Sequence, residues 1–219
     1  MTVVLLGGLG TTTRMWEQQL AVLDDALPLD LPGHGEAPLD GPVDIAGIAR
    51  RVLDAAPERF AFCGLSVGGM VGMWLGANAP ERLEQLVLVC TGPKLGERDA
   101  YLERAALVRR EGTAVVADGA RERWFTPAFR DSPRADRIID DLRAVSPEGY
   151  AACAEAVGDF DFRADVSRIA VPMHVVYGRD DPMTPADVRA ALPGVEIPGA
   201  HLAPVEAPAA FNHELRSVV

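Results

Sequence analysis

Short, continuous apolar runs, each followed by glycine or by a helix-like stretch, constrain the fold of this chain more than any other feature. The clearest runs are TVVLLGG (2–8), FAFCG (60–64), LVLVC (86–90) and MHVVYG (173–178). LPLDLPGHG (27–35) is weakened by its prolines, and GVEIPG (194–199) is shorter. Apolar runs without alternation are typical of parallel strands that are covered on both faces. Strands that alternate with helices form βαβ units with right-handed crossovers. The sequence therefore predicts an α/β fold with a mostly parallel, doubly wound sheet of about six strands.

Helical patterns separate the apolar runs and also fill one long interval without strands. The predicted core helices are Met15–Leu23, Ile45–Ala55 with Asp44 as N-cap, Gly68–Ala79, Pro185–Leu192 and Glu206–Val218. Between about Lys94 and Arg168 the helix-like stretches are Arg98–Arg110, Ala114–Trp124, Ser132–Ala144 and Pro147–Val157. We therefore expect a core formed by residues 1–93 and 169–219, interrupted by a helical cap at residues 94–168.

The charge and cysteine content exclude several classes of function. The formal net charge is −11 with no compensating basic block, which argues against nucleic acid or an anionic membrane surface as partner. The three cysteines lack CxxC spacing, so we expect neither a disulfide framework nor a zinc site. The amino terminus has no charged leader, and no run approaches the roughly 18 apolar residues of a membrane span. A cytoplasmic location is the expectation.

The sequence CGLSVGG (63–69) supplies a candidate nucleophile, Ser66. It matches the G-x-S-x-G pattern, in which small residues two before and two after the serine permit a sharp, strained turn. A serine in an ordinary glycine-rich loop is the alternative. The apolar strand before it and the small-residue helix after it form the strand–turn–helix context that the pattern requires, so the sequence favours a nucleophile.

A nucleophilic serine needs a base, and the chain has four histidines. His34 in PGHG precedes the serine and fits a structural turn, His174 lies inside a strand run, and His213 lies in a terminal helix. His201 in GAHLAPVE follows the last strand, which gives the order Ser…Asp…His of hydrolases with this kind of sheet. We therefore predict His201 as the base.

The orienting acid and the oxyanion hole come from two further loops. The loop VVYGRDDPMTP provides Asp180 and Asp181, either of which could accept a hydrogen bond from His201. The oxyanion donors are predicted as the backbone N–H groups of Val67 and Leu9, with Gly8 or Gly10 as alternatives to Leu9. The GGLG stretch is also a weak relative of a dinucleotide fingerprint, but its third glycine is absent.

These motifs together resemble the α/β-hydrolase superfamily, and the closest resemblance is to 3-oxoadipate enol-lactonases (β-ketoadipate enol-lactone hydrolases). The resemblance covers most of the chain. Its densest stretches are FCGLSVGGMVGMWLGANAPERLEQLVLVCTGPKLG (62–96), ERWFTPAF (122–129), PEGYAACAEA (147–156), VYGRDDPMTP (176–185) and GAHLAPVEAPAAFN (199–212). RWFTPAF and PEGYAAC, both in the predicted cap, are the stretches that point to the lactonase branch.

The resemblance implies an α/β-hydrolase fold, a triad of Ser66, Asp181 and His201, and a helical cap that selects the substrate. The family's acid precedes a proline in a GxxDP turn, and this selects Asp181 over Asp180. The resemblance also implies an anionic substrate and hence a local cation, for which Arg123 beside Trp124 is the first candidate, followed by Lys94 and Arg14. A solvated helix charge is the alternative for Arg123, and a place in the pocket wall or cap core is the expectation for Trp124.

This chain also departs from the family's pattern. Relatives have two further strands before TVVLLGG, so we expect LPLDL to form the outermost strand, where Pro28 and Pro32 cannot donate hydrogen bonds to a partner. Gly7 and Gly8 stand where relatives have Asn-Ser. These differences leave the reaction class intact and bear on the substrate.

The predicted function is hydrolysis of a small lactone or ester through an acyl-serine, without a metal ion or organic cofactor. An esterase or thioesterase acting on another small substrate would use the same triad. A cofactor-free lyase or cyclase and a binding module with a vestigial site are alternatives from other classes.

Overall fold

A single six-stranded sheet in the order β2-β1-β3-β4-β5-β6, with every neighbouring pair parallel, organises the chain. The computed structural model describes all residues, 1–219. The strands are β1 Val3–Leu6, β2 Ala26–Leu29, β3 Phe60–Leu65, β4 Leu83–Val89, β5 Met173–Gly178 and β6 Val195–Ile197. The predicted fold class is confirmed, as are the strand count and the outermost position of the LPLDL segment.

Burial follows position in the sheet. Every residue of β1 and β3 is buried, whereas each residue of the edge strand β2 is half-buried and β6 is mostly exposed. Unbroken apolar sequences are therefore found where a strand has neighbours on both sides and helices on both faces. The weaker sequence signals of β2 and β6 have the same physical origin, because an edge strand buries less side-chain surface.

The helices around the sheet differ from the predictions mainly where proline or short turns intervene. They are α1 Glu17–Leu20, α2 Ile45–Ala55, α3 Val67–Asn78, α4 Arg98–Glu111, α5 Ala117–Trp124, α6 Pro133–Ala144, α7 Pro147–Asp159, α8 Ala186–Ala191, α9 Ala203–Glu206 and α10 Pro208–Arg216. The helix expected at Glu206–Val218 is confirmed with shorter bounds, because α9 ends at Glu206 and α10 begins only at Pro208. Proline fits the first turn of a helix but interrupts the interior.

The interval between β4 and β5 contains only helices, with α4 packed against α7 and α5 against α6. Residues of α4, α5 and α7 line the same pocket as residues that follow β1 and β3. This segment therefore covers the carboxyl edge of the sheet at that point. The division of the chain at residues 94–168 stays a prediction. None of the helices has the length and apolar character needed to cross a membrane.

The strand order reverses at β1, and this creates the position of the site. From β1 the chain passes to β2 on one side, then returns to β3 on the other side. Leu6 of β1 pairs with Gly64 of β3, so the loop that follows β1 lies beside the turn that follows β3. Open α/β sheets bind ligands at such a switch point, beyond the carboxyl ends of the strands.

Candidate active site

Ser66 lies in a strained turn between β3 and α3. Its backbone has φ 56° and ψ −114°, a conformation that costs of order 1–3 kcal/mol in a residue with a side chain. Hydrogen bonds from the end of β4 hold it there. The Ser66 N–H donates to the Val89 carbonyl at 2.9 Å, and the Thr91 hydroxyl donates to the Ser66 carbonyl at 2.7 Å. Strain that neighbouring structure holds in place is typical of functional positions.

The flanking glycines of the motif are required by close backbone contacts. A Cβ atom on Gly64 would lie 2.2 Å from the Gly68 carbonyl oxygen. A Cβ atom on Gly68 would lie 2.3 Å from the carbonyl oxygen of Leu6 at the end of β1. Backbone atoms cannot move aside as a flexible side chain can. The motif's glycines therefore allow the tight turn and bring α3 against β1.

His201 and Asp181 form a buried pair. His201 Nδ1 lies 3.0 and 3.1 Å from the two carboxylate oxygens of Asp181, and the two residues are 2% and 4% exposed. An ionised carboxylate only accepts hydrogen bonds, so Nδ1 carries the proton and Nε2 is left free to accept one. Asp181 rather than Asp180 makes this contact, because the side chain of Asp180 is exposed.

Asp181 is held as a carboxylate by more than the histidine. Burial alone would raise its pKa, but His201 and donors from the Met183 N–H and the Thr184 hydroxyl, each at 2.8 Å, bring the pKa below its usual value. The carboxylate therefore stays ionised at neutral pH and keeps the ring of His201 in one tautomer and orientation.

Ser66 and His201 line one pocket together with Leu9, so the structure brings together residues that are far apart in the sequence. The other histidines lie elsewhere. His174 is 3.0 Å from Glu214, His213 is exposed on α10, and buried His34 bonds to the backbone of Gly10.

The backbone N–H groups of both predicted oxyanion donors, Val67 and Leu9, lack a protein acceptor. Val67 is the first residue of α3, so its N–H has no acceptor within the helix. Leu9 lines the pocket, and its N–H donates to no other protein atom. Gly10 is unsuitable as the alternative donor, because its N–H donates to His34 Nε2 at 3.0 Å.

The wall of the pocket opposite Ser66 comes from the helices between β4 and β5. It contains Tyr101 and Arg104 of α4, Arg123 and Trp124 of α5, and Tyr150 of α7. Trp124 is buried, and its carbonyl accepts the N–H of Leu202, the residue after the candidate base.

Two arginines in this wall lack anionic partners. Arg109, Arg121, Arg137 and Arg143, in the same helices or next to them, pair with carboxylates. No such pair involves Arg104 or Arg123, and the buried Arg123 Nε has no hydrogen-bond partner. Burial, and then the neighbouring charge of Arg104, lower the pKa of Arg123. An anion in the pocket would stabilise the charged form of Arg123 and could accept a hydrogen bond from its Nε.

Arg104 was missed in the sequence, although a signal exists. It shares a helical face with Tyr101, Ala105 and Val108, which are the buried residues of α4. A charged residue within the buried stripe of a helix that covers a pocket is a candidate for ligand contact.

The structure does not bring Lys94 and Arg14 to the pocket of Ser66, and their predicted contacts with substrate stay a prediction. Lys94 Nζ lies 3.7 Å from Asp161, and Arg14 Nε lies 2.9 Å from Asp141, both outside the pocket of Ser66. Arg14 instead borders a larger open cleft of about 930 Å³ beside β2, which also contains the acidic residues Asp30 and Glu36. That cleft has no serine–histidine pair. Position in the sequence did not reveal that carboxylates of the chain already neutralise both cations.

Cys90, Asp181 and His201 are the group of potential metal ligands in the structure, with ligand atoms within 4.8 Å of one another. Burial raises the pKa of the Cys90 thiol far above its usual value, which opposes the thiolate that a metal needs. His201 Nδ1 is already bonded to Asp181. The chemistry of these donors fits a hydrogen-bonded acid–base pair better than a metal centre.

Comparison with known proteins places this geometry in context. The family model described as "Alpha/beta hydrolase family" matches residues 3–214. The chain is 36% identical to 3-oxoadipate enol-lactonase 2 of Acinetobacter baylyi, over 99% of this chain and 88% of the relative. The crystal structure of the enol-lactonase from Burkholderia xenovorans LB400 superposes with a TM-score of 0.94 at 29% identity, over 99% of this chain and 90% of that one. A pimeloyl-[acyl-carrier protein] methyl ester esterase of Vibrio campbellii is 28% identical, over 87% of this chain and 80% of the relative.

Proposed function

The chain belongs to the alpha/beta hydrolase family, and from that premise we propose that it is a serine hydrolase that opens a small lactone bearing a carboxylate. The observation that carries the proposal is the buried Asp181–His201 pair, whose histidine lines one pocket with the strained Ser66. An acid, a base and a nucleophile in this order and arrangement are the requirements of acyl transfer. The resemblance to 3-oxoadipate enol-lactonases supplies the expected substrate, an enol-lactone of that type.

The first half of the reaction forms an acyl-enzyme. The Ser66 hydroxyl attacks the lactone carbonyl while His201 Nε2 takes its proton. Asp181 orients the imidazole and stabilises the imidazolium ion that forms. The tetrahedral intermediate then collapses and the ring C–O bond breaks. The enolate that leaves takes up the proton held by His201 and becomes a ketone, so His201 is neutral again. The acyl group stays attached to the Ser66 oxygen.

The second half regenerates the enzyme. Water attacks the acyl-serine carbonyl while His201 takes a proton from the water. The bond to the Ser66 oxygen then breaks, and His201 returns the proton to that oxygen. Both halves pass through an oxyanion. The N–H groups of Leu9 and Val67 are the proposed donors to that charge, and loss of one such donor typically lowers turnover about 100- to 1000-fold.

The arginines of the pocket wall support an anionic substrate. Arg104 and Arg123 lack carboxylate partners in a protein whose net charge is −11. A carboxylate on the substrate would accept charge-assisted hydrogen bonds from a guanidinium and hold the lactone carbonyl toward Ser66. Trp124, Tyr101 and Tyr150 provide apolar surface around the rest of the molecule.

An esterase of another small substrate is the second candidate. The Vibrio relative is named for a methyl ester of a pimeloyl group on an acyl-carrier protein, and the same triad would cleave such an ester. The two arginines without carboxylate partners favour an anion over a long acyl chain ending in a neutral ester. The same features apply to an esterase of a short carboxylate-bearing ester.

A substrate panel distinguishes these functions. The purified protein and Ser66→Ala should be assayed on carboxylate-bearing enol-lactones, neutral lactones, and nitrophenyl esters of increasing chain length. We expect the highest kcat/KM for an anionic enol-lactone and no turnover above background for Ser66→Ala. Preference for long neutral esters would support the esterase. Covalent labelling by a fluorophosphonate without turnover of any ester or lactone would instead favour a lyase or cyclase.

A further inference from the structure

The structure assigns a role to His34, a buried side chain that takes no part in the proposed chemistry. We infer that His34 is a positioning residue: it holds Gly10 so that the oxyanion loop, defined as residues 8–11, presents the Leu9 N–H to the reacting carbonyl. The inference rests on the proposed acyl transfer at Ser66, because the oxyanion exists only in that reaction.

The ring of His34 is fixed by two hydrogen bonds. His34 Nε2 lies 3.0 Å from the Gly10 nitrogen, and Nδ1 lies 3.0 Å from the Pro32 carbonyl oxygen. A backbone N–H can only donate and a carbonyl can only accept, so Nδ1 carries the proton and Nε2 accepts. The side chain is fully buried, and burial lowers its pKa to about 4, so the ring is neutral near pH 7.

The two peptide groups beside Leu9 are each held by one residue. The Gly8 carbonyl accepts the Thr11 N–H at 3.1 Å and the Thr11 hydroxyl at 2.9 Å. All peptide bonds are trans, so the Leu9 N–H points away from that carbonyl and from Thr11. On the other side, the Gly10 N–H is held by His34. The Leu9 N–H is left without a partner in the pocket of Ser66.

His34 anchors the loop to a different part of the sheet. It follows β2, whereas the oxyanion loop follows β1, and its own N–H donates to the Leu31 carbonyl at 2.9 Å. Without an acceptor at Nε2, the buried Gly10 N–H would lose its hydrogen bond. Rotation of the Leu9–Gly10 peptide could recover one, but it changes ψ of Leu9 and φ of Gly10, so the oxyanion loop that carries the Leu9 N–H would no longer be held in one conformation. Transition-state stabilisation depends on donors that are fixed in advance.

Two amide substitutions separate the two hydrogen bonds of the ring. In His34→Gln the amide oxygen reaches the position of Nε2 and can accept from Gly10. In His34→Asn the shorter amide reaches the position of Nδ1 and can donate to Pro32 only. The measurements are kcat, KM and the inhibition constant of a trifluoromethyl ketone analogue, which forms an anionic hemiketal with a nucleophilic serine. Thr113→Val, which removes a buried hydroxyl that donates to the Arg143 carbonyl, is the control for a general loss of stability.

We expect His34→Gln to retain wild-type kcat within about threefold, since the acceptor is kept. His34→Asn should lower kcat about 10- to 100-fold, weaken the ketone to a similar extent, and leave KM within about twofold. Thr113→Val should lower the melting temperature without changing kcat. Equal kinetic effects of Gln and Asn, or wild-type kcat in both with only a lower melting temperature, would overturn the inference.

A measurement on the unaltered protein covers the case in which His34→Asn does not fold. The ¹⁵N chemical shifts of the His34 ring should be those of the neutral tautomer with the proton on Nδ1. A proton on Nε2 would overturn the inference, because the ring could not then accept from Gly10. If the wild type itself shows neither turnover nor an adduct on Ser66, the proposed function fails. Failure of the inference on His34 is different, because the wild type is then active and only the comparison of the His34 variants disagrees.

Discussion

The Nδ1 atom of His201 lies 3.0 and 3.1 Å from the two carboxylate oxygens of Asp181, and both side chains are buried. This contact joins the loop after β5 to the loop after β6 and determines which ring nitrogen faces the pocket. The proposed chemistry depends on this orientation.

Replacing the acid should abolish most of the turnover. Asp181→Asn keeps the shape of the side chain but allows it to donate to Nδ1, which would place the proton of His201 on Nε2. We expect kcat to fall by about 10⁴-fold with a small change in KM. Asp180→Asn is the matched control, because Asp180 is exposed and adjacent. An equal decrease of kcat in both variants would mean that turnover depends on the conformation of the loop and not on the carboxylate of Asp181.

Neutralising the arginines of the pocket wall should discriminate between substrates. Arg123→Gln and Arg104→Gln should each raise KM for an anionic lactone about 10-fold and leave a neutral ester nearly unchanged, since a hydrogen bond to a charged group contributes about 1.5–3 kcal/mol. Arg121 is on the same helix as Arg123 but is paired with Asp136, so Arg121→Gln should change KM for neither substrate. Equal increases in KM for the anionic and the neutral substrate would mean that the arginines stabilise the helices between β4 and β5 and do not bind the substrate carboxylate.

A side chain at Gly68, in the strained turn around Ser66, should destabilise the fold as well as the site. In Gly68→Ala the new methyl group would lie 2.3 Å from the Leu6 carbonyl oxygen, so β1 and α3 must separate. We expect the free energy of unfolding to decrease by about 1–3 kcal/mol and kcat to fall sharply. Gly76→Ala, farther along α3, meets only side-chain methyl groups at 3.0 Å or more and should be milder in denaturant titrations of stability and in kcat. Identical behaviour of the two variants would contradict the proposed packing.

Acidification should destabilise the protein partly through His34. Burial lowers the pKa of His34 from 6.5 to about 4, so the unfolded chain binds a proton that the folded protein does not bind in this range. The free energy of unfolding should therefore decrease as the pH falls from 6.5 to about 4, by about 3 kcal/mol in all. Chemical denaturation of the wild type and of His34→Gln across this pH range measures the contribution of His34. The free energy of unfolding of the variant should depend less on pH. The same slope in both proteins would show that His34 does not contribute.

Much of the fold was predictable because local signals decide it. The helix Ile45–Ala55 begins where predicted, with the Asp44 side chain accepting from the Gly47 N–H at 2.6 Å, and the strand Met173–Gly178 has the predicted bounds. An N-cap and a continuous apolar run are properties of neighbouring residues. The break at Ala207 was missed, although Pro204 and Pro208 on either side of it begin separate helices.

The candidate site divides along the same line. Ser66, Asp181 and His201 follow the strands β3, β5 and β6, and the parallel order of these strands brings the three residues to one edge of the sheet. The cations depend on partners distant in sequence. Arg14 and Lys94 are paired by Asp141 and Asp161, whereas Arg104 lies in the pocket wall unpaired. No spacing within the chain indicates which arginine lacks a carboxylate.

The most direct test of the central claim is mass spectrometry of the protein quenched during turnover of a slowly hydrolysed ester or lactone. Acyl transfer predicts a mass increase equal to one acyl group, located on the peptide that contains Ser66 and absent from Ser66→Ala. Full turnover without an adduct on Ser66, or undiminished turnover by Ser66→Ala, would contradict the account.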